Sequence, residues 1–210
     1  MLVKHGAPQL RECNSGVSIV EFALALPIVM LVAVGGLECA NLALAHLRIS
    51  QIATTTADTA ARVLTQMDET DIEEVFAGVD VMGNRIDFAA HGRVVLSSLE
   101  HNGQASANAG QKITWQRCHG SLNVAPSYGR QGAGATNASL AAGLGPTGRK
   151  ITAASGTAIM FVEVSYDYQP LVYDVLNVGN IRYETAFNVR ERTAFGITNT
   201  QSRTVKTCPT

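Results

Sequence analysis

Ser15-Gly16-Val17-Ser18-Ile19-Val20-Glu21-Phe22 leads into Ala23-Leu24-Ala25-Leu26-Pro27-Ile28-Val29-Met30-Leu31-Val32-Ala33-Val34-Gly35-Gly36-Leu37, and the sixteen residues from Phe22 to Leu37 carry no formal charge. With the more polar flanks Val17–Glu21 and Glu38–Leu47 also helical, residues 17–47 form an element of about 31 residues, roughly 46 Å long at 1.5 Å per residue. About 20 mostly apolar residues cross a bilayer core, so this segment is read as a transmembrane helix. The odd member is Glu21. A carboxylate at the edge of a membrane span costs about 2.5–3.5 kcal/mol on insertion scales and marks a functional position whose partner has to be found. The plainer alternative is an ordinary interfacial carboxylate beside a signal anchor.

A partner arises if a peptidase cuts after Gly16. Val17 then becomes a free N-terminus, mostly cationic at neutral pH because its unperturbed pKa is about 7.7–8.0. Residues 17 and 21 are four apart and share a helix face. The new ammonium and the carboxylate form an ion pair in a poor solvent, within one chain or between one chain's N-terminus and its neighbour's Glu21. In the second arrangement cleavage and assembly are linked.

Gly16 followed by Glu21-Phe22 resembles the processing site of type IV prepilins. The longer string Gly-Val-Ser-Ile-Val-Glu-Phe-Ala-Leu-Ala-Leu-Pro-Ile, residues 16–28, resembles the TadE-like pseudopilins and minor pilins of tight-adherence (Flp) pilus systems. The resemblance implies that prepilin peptidase cuts between Gly16 and Val17, and that Glu21 and Phe22 serve assembly. It also implies other pilins, an inner-membrane assembly platform and membrane lipid as partners, with surface adhesion as the outcome. Val162-Glu-Val-Ser-Tyr-Asp-Tyr-Gln-Pro-Leu171 and the later Val189-Arg-Glu-Arg192 resemble the C-terminal half of TadE-like ectodomains more loosely.

The 210 residues leave room for this helix and one domain. A net charge of −1 argues against a nucleic-acid binder, which needs a basic face. Charged residues are 16% of the chain, below the usual quarter or so of a soluble domain. Residues 1–16 are weakly basic and read as a leader kept in the cytoplasm, with the C-terminal body on the far side of the inner membrane. The apolar run is too long for a secretory signal, and the expected cut precedes it, so the helix stays as an anchor. Of the four cysteines, Cys13 lies in the leader and Cys39 in or just past the span. Cys118 and Cys208 remain in the exported body, where an oxidising compartment permits a disulfide. Spacing alone leaves two unpaired thiols as the other reading.

Beyond the span, residues 48–80 form an amphipathic stalk and a short second helix. Ile49, Ile52, Ala53, Ala57, Ala60, Ala61, Val63, Leu64 and Met67 recur at steps of three and four. A separate helix after a break is the alternative to one continuous stalk. Pro27 removes a backbone hydrogen bond mid-span and is a kink candidate. In the acidic run 68–74, Thr70 and Glu73 fit the capping-box spacing of a helix start. Residues 81–210 read as an antiparallel sheet domain. Candidate strands are Arg93–Leu99, Lys112–Cys118, Thr157–Tyr168 and Ile181–Arg192, with Pro170–Leu176 a short helix or coil. In the last strand Ile181, Tyr183, Thr185, Phe187 and Val189 alternate with polar residues, which predicts one buried and one wet face. Residues 127–156 are rich in Gly and Ala with little to bury, and read as a mobile or loosely packed loop. The fold class is therefore α+β, a long N-terminal helix packed on a small antiparallel sheet, as in pilins.

No catalytic motif stands up. Gly143-Leu-Gly-Pro-Thr-Gly148 matches G-x-G-x-x-G, but no strand precedes it and Pro146 disturbs the turn, so a solvated loop is the better reading. His46, His91, His101 and His119 lack metal-ligand spacing, and the acidic run lacks the alternating ligands of a calcium loop. No enzyme, cofactor or metal is expected. The second functional reading is a single-pass anchor, uncut, whose outer domain binds a ligand through the Gly/Ala-rich loop.

Overall fold

The structure is a computed structural model that describes residues 15–172 and 178–208. Most of the leader, including Cys13, and residues 173–176 of the expected helix or coil lie outside the described residues; Pro170–Val172 form no regular element.

Span and stalk are one helix, α1 (Ser15–Arg62), of 48 residues, or about 72 Å. There is no break between them. The helix runs through Pro27, which has no N–H to offer the carbonyl of Ala23. From Glu38 onward its buried positions, Ala45, Ile49, Ile52, Ala53, Thr56, Ala57, Ala60 and Ala61, keep a spacing of three and four. Their small side chains let the helix lie close on the sheet. Leu64, expected on this stripe, falls past the helix end and is exposed.

The short strand β1 (Met67–Asp68) leads into α2 (Glu69–Gly83), and the one-turn helix α3 (Phe88–His91) leads into the sheet. The capping box is not the Thr70/Glu73 pair. Asp68 is the N-cap and Asp71 the reciprocal partner: Thr70 N–H donates to Asp68 Oδ1 at 3.1 Å, and Asp68 N–H donates to Asp71 Oδ2 at 2.8 Å. Several registers fit an acid-rich run, and Asp68 wins because it also holds the C-terminal tail. Asp68 Oδ2 accepts from Thr200 N–H at 2.8 Å and from the Thr198 hydroxyl at 2.9 Å.

The sheet comprises β2 (Gly92–His101), β3 (Gln111–His119), β4 (Ala158–Asp167) and β5 (Asn180–Asn188), all antiparallel, in the order β3-β2-β4-β5. A further short strand, β6 (Ile197–Thr198), pairs parallel with β1. The register of β2 against β3 shifts between Ser98 and Leu99, so that Thr114 is extra in its strand. This bulge lets Trp115 face the helix side while Ile113, two residues earlier, faces the other.

Both faces of the sheet are covered. On one, α1 and α2 pack over Val94, Leu96, Trp115, Met160, Val162, Val164 and Ile181. On the other, the Gly/Ala-rich segment forms a layer over Leu99, Ile113, Ile159 and Phe161, and contributes Leu144 and Ala153 to a second core. It is therefore not a loose loop, and Gly143–Gly145 are buried rather than solvated. Gly143 adopts φ +83°, and a Cβ there would lie 2.0 Å from the Ile151 carbonyl oxygen, so this glycine serves a tight chain approach. The covered face also corrects the reading of the last strand. Its alternation holds, with Tyr183, Phe187 and Val189 against the helix core, but Ala186 opposite them packs on the second core.

Cys118 and Cys208 are disulfide-bonded, with Cα atoms 4.8 Å apart and a sequence separation of 90. Cys118 N–H donates to the Lys206 carbonyl at 2.8 Å, so bond and backbone together fasten the tail to β3. Cys208→Ser is expected to lower unfolding stability by about 2–5 kcal/mol, because a loop of this length adds substantial denatured-state entropy when opened. Urea unfolding with and without reductant checks this. The wild type should fall to the variant's value under reductant, and the variant should not respond.

The Asp68 contacts have a pH consequence. The Thr200 and Thr70 amides hold its carboxyl well below the usual carboxylate range. A lowered folded-state pKa means that the unfolded chain takes up the proton first as pH falls. The stabilisation is thus complete above about pH 5 and declines below about pH 4. Asp68→Asn should show a shallower loss of unfolding midpoint than wild type over that window; parallel curves would show that Asp68 does not titrate this way.

Candidate functional site

Nearly half of α1, its N-terminal part, projects from the body. Every described side chain from Gly16 to Leu37 is exposed, including Val17, Glu21, Phe22 and Pro27, and the most apolar window has no buried share. Val17, Ile19, Val20, Phe22, Leu24, Ile28, Leu31 and Val32 point outward around the whole helix, not along one stripe. A helix apolar all round is suited to lipid or to a bundle of like helices. Gly16 lies in the first turn, and Val17 and Glu21 are one turn apart on a shared face. Among the described residues nothing in the chain pairs with Glu21. Gly35 and Gly36 leave open space where a Cβ would stand, so another helix can approach closely there.

The exposed run ends abruptly at Glu38, which is 5% exposed. The Tyr168 hydroxyl donates to Glu38 Oε1 at 2.5 Å, and Leu171 N–H donates to Oε2 at 3.0 Å. Asn41 Nδ2 donates to the Tyr168 oxygen at 2.8 Å, which completes the joint. Burial, and then the Glu38 contact, push the Tyr168 hydroxyl up to about 12, so it remains a donor. The joint fixes the sheet domain at the point where the helix ceases to be greasy. Sequence reading treats Glu38 as a polar flank, since its partners lie 130 and 133 residues away.

Residues 16–62 match the TadE-like protein family model. This helix is TadE-like. The match runs from the glycine in the first turn of α1 to the last residue of the helix, and the sheet domain lies outside it. No curated protein and no solved structure matches the chain. The long apolar TadE-like helix is compatible with a single-pass membrane anchor.

Two polar clusters beyond the TadE-like helix also escape sequence reading. Arg117 of β3 donates through Nε to both oxygens of Glu69 at 2.9 and 3.1 Å and through Nη2 to Oε1, with side chains 6% and 2% exposed. Arg117 Nη1 donates to Gln131 Oε1 at 3.0 Å, which ties the second-face layer to the same arginine. On that face Glu163 is buried and accepts from Arg182 Nη2 at 2.7 Å and Ser127 N–H at 3.1 Å; burial pushes its carboxyl up. The Tyr128 hydroxyl donates to Glu184 at 2.8 Å. These groups fasten the Gly/Ala-rich layer to the sheet. Among the described residues no three of His, Cys, Asp and Glu gather as a metal site.

Proposed function

We propose that the chain is a pseudopilin or minor pilin that supports assembly of a Tad (Flp) pilus. Supporting this reading above all is the split within α1: the same helix is bare, and apolar but for Ser18 and Glu21, from Val17 to Leu37 and built into the domain from Glu38 onward. A stem of this kind is held among other stems while its domain stays folded outside the membrane. The first 16 residues are a leader in the cytoplasm, and prepilin peptidase removes them after Gly16. The Gly16–Val17 bond lies in the first turn of α1, on an exposed surface open to a peptidase.

Cleavage supplies the charge that Glu21 lacks. The Val17 ammonium is a turn away in its own chain, and within reach of a neighbouring stem's Glu21 when stems lie side by side. An uncut precursor has no such ammonium. It is inserted but poorly matched to its neighbours, so processing licenses assembly. The step is electrostatic, and the chain needs no catalytic residue for it.

Gly16→Ala tests this. In cells with active prepilin peptidase the variant should retain the mass of the full precursor and stay out of assembled fibres, whereas wild type loses the leader. A variant that matures normally would overturn the reading. Wild type that keeps its leader would favour the uncut ligand-binding anchor.

A further inference from the structure

The exposed apolar surface continues past the stem onto the sheet domain. Leu171 is 56% and Val172 65% exposed, in a segment clamped to α1 by the two hydrogen bonds on Glu38. The position of that clamp is informative. Val17 to Leu37 is a run of about 21 residues, or about 31 Å of helix, close to the roughly 30 Å core of a bilayer. Glu38 therefore sits at one surface of the hydrocarbon layer when the run fills it. Leu171, bonded through its backbone to Glu38, is held at the same level. Two large apolar side chains at a domain's surface need no explanation by themselves; two at the level where the span ends have a solvent waiting for them.

The surface beside them suits the same partner. An open cleft of about 460 Å³ adjoins Leu171 and is bounded also by Asn41, Arg85, Asp87, His91 and Gln169. Arg85 is exposed and forms no ion pair among the described residues. Asp87 lies 3.9 Å from His91, so the cleft's one acid already faces a base.

We propose that this face is a second membrane contact, with Leu171 and Val172 seated in the outer acyl layer and Arg85 facing a lipid phosphate. It rests on the reading of α1 as a membrane span. A domain held at two points does not swing on its stem; it keeps one face on the lipid and presents the opposite end outward.

The test uses the full chain with Cys13→Ser and Cys39→Ser, its disulfide intact, in nanodiscs of phosphatidylethanolamine and phosphatidylglycerol. Single cysteines are introduced by Leu31→Cys, Val172→Cys or Leu64→Cys and carry one environment-sensitive fluorophore. Leu64 lies just past the end of α1, which rises about 36 Å beyond Glu38, and reports open water. The label at 172 should be quenched by lipid spin-labelled near the headgroup and protected several-fold from aqueous iodide relative to 64. Arg85→Glu should weaken the lipid quenching at 172, more so as phosphatidylglycerol is increased. If 172 behaves like 64 while 31 is quenched by lipid, the second contact is wrong and the span stands. If 31 is open to iodide, the span itself is wrong, and this contact falls with it.

Discussion

Glu21→Gln is expected to leave the chain folded, anchored and cut after Gly16, and to reduce assembled pili to a small fraction of wild type. The substitution keeps size and removes charge. By itself it makes the helix easier to insert, since a neutral amide costs less in lipid than a carboxylate, so any loss cannot come from insertion. The loss arises between chains. Once leaders are removed, every stem carries a Val17 ammonium, and in a bundle of helices with apolar sides an ammonium without its carboxylate is a buried unpaired charge. Breaking such a pair from one side costs about 3–5 kcal/mol. At about 1.4 kcal/mol per tenfold, one contact at the lower end of that range already changes an association constant by more than a hundredfold. Glu21→Asp, which keeps the charge on a shorter arm, should recover part of the yield. Sheared fibres compared with membrane-retained subunit give the readout. Wild-type yield from the glutamine variant would mean that the carboxylate has no partner in assembly.

Glu69→Ala is expected to be the most destabilising single change in the sheet domain. It strands the Arg117 guanidinium at a site where that side chain is 6% exposed and where only the Gln116 carbonyl and Gln131 remain as acceptors. The expected loss is about 3–5 kcal/mol, against about 5–15 kcal/mol for a whole domain. Replacing both partners by apolar residues of similar volume, Glu69→Leu with Arg117→Met, should restore most of that stability, because the desolvation cost of both charges disappears with them. Urea unfolding of the detergent-solubilised chain orders the three proteins. A double variant as weak as the single one would show that the pair itself, rather than the absence of a stranded charge, holds α2 to β3. The loss should also reach the second-face layer, since Arg117 carries Gln131.

What was legible in the residues was whatever repeats along the chain. The uncharged run to Leu37, the three-and-four spacing from Ile49 to Ala61 and the alternation of Ile181, Tyr183 and Phe187 each follow from local geometry, and each sits in the structure as read. Features that depend on distant partners were not legible. Glu38 looks like a polar flank until Tyr168 and Leu171 come to it from the far end of the chain. The Gly/Ala-rich stretch looks unable to bury anything because its apolar residues are sparse. Leu144 and Ala153 suffice, since the sheet supplies the rest of that core. The bulge at Thr114 has no signature of its own, and the Thr70/Glu73 spacing missed the box that Asp68 and Asp71 form two residues earlier. For the assembly site, Gly16, Val17, Glu21 and Phe22 were legible as a motif, and the structure adds that all four are presented on a bare stem.

The most direct measurement is the first residue of the protein extracted from membranes of its own cells. N-terminal sequencing should return Val17-Ser18-Ile19-Val20-Glu21, with a free amine on Val17. A chain that begins at Met1 would contradict the proposed linkage between cleavage and assembly, because no ammonium would then stand beside Glu21.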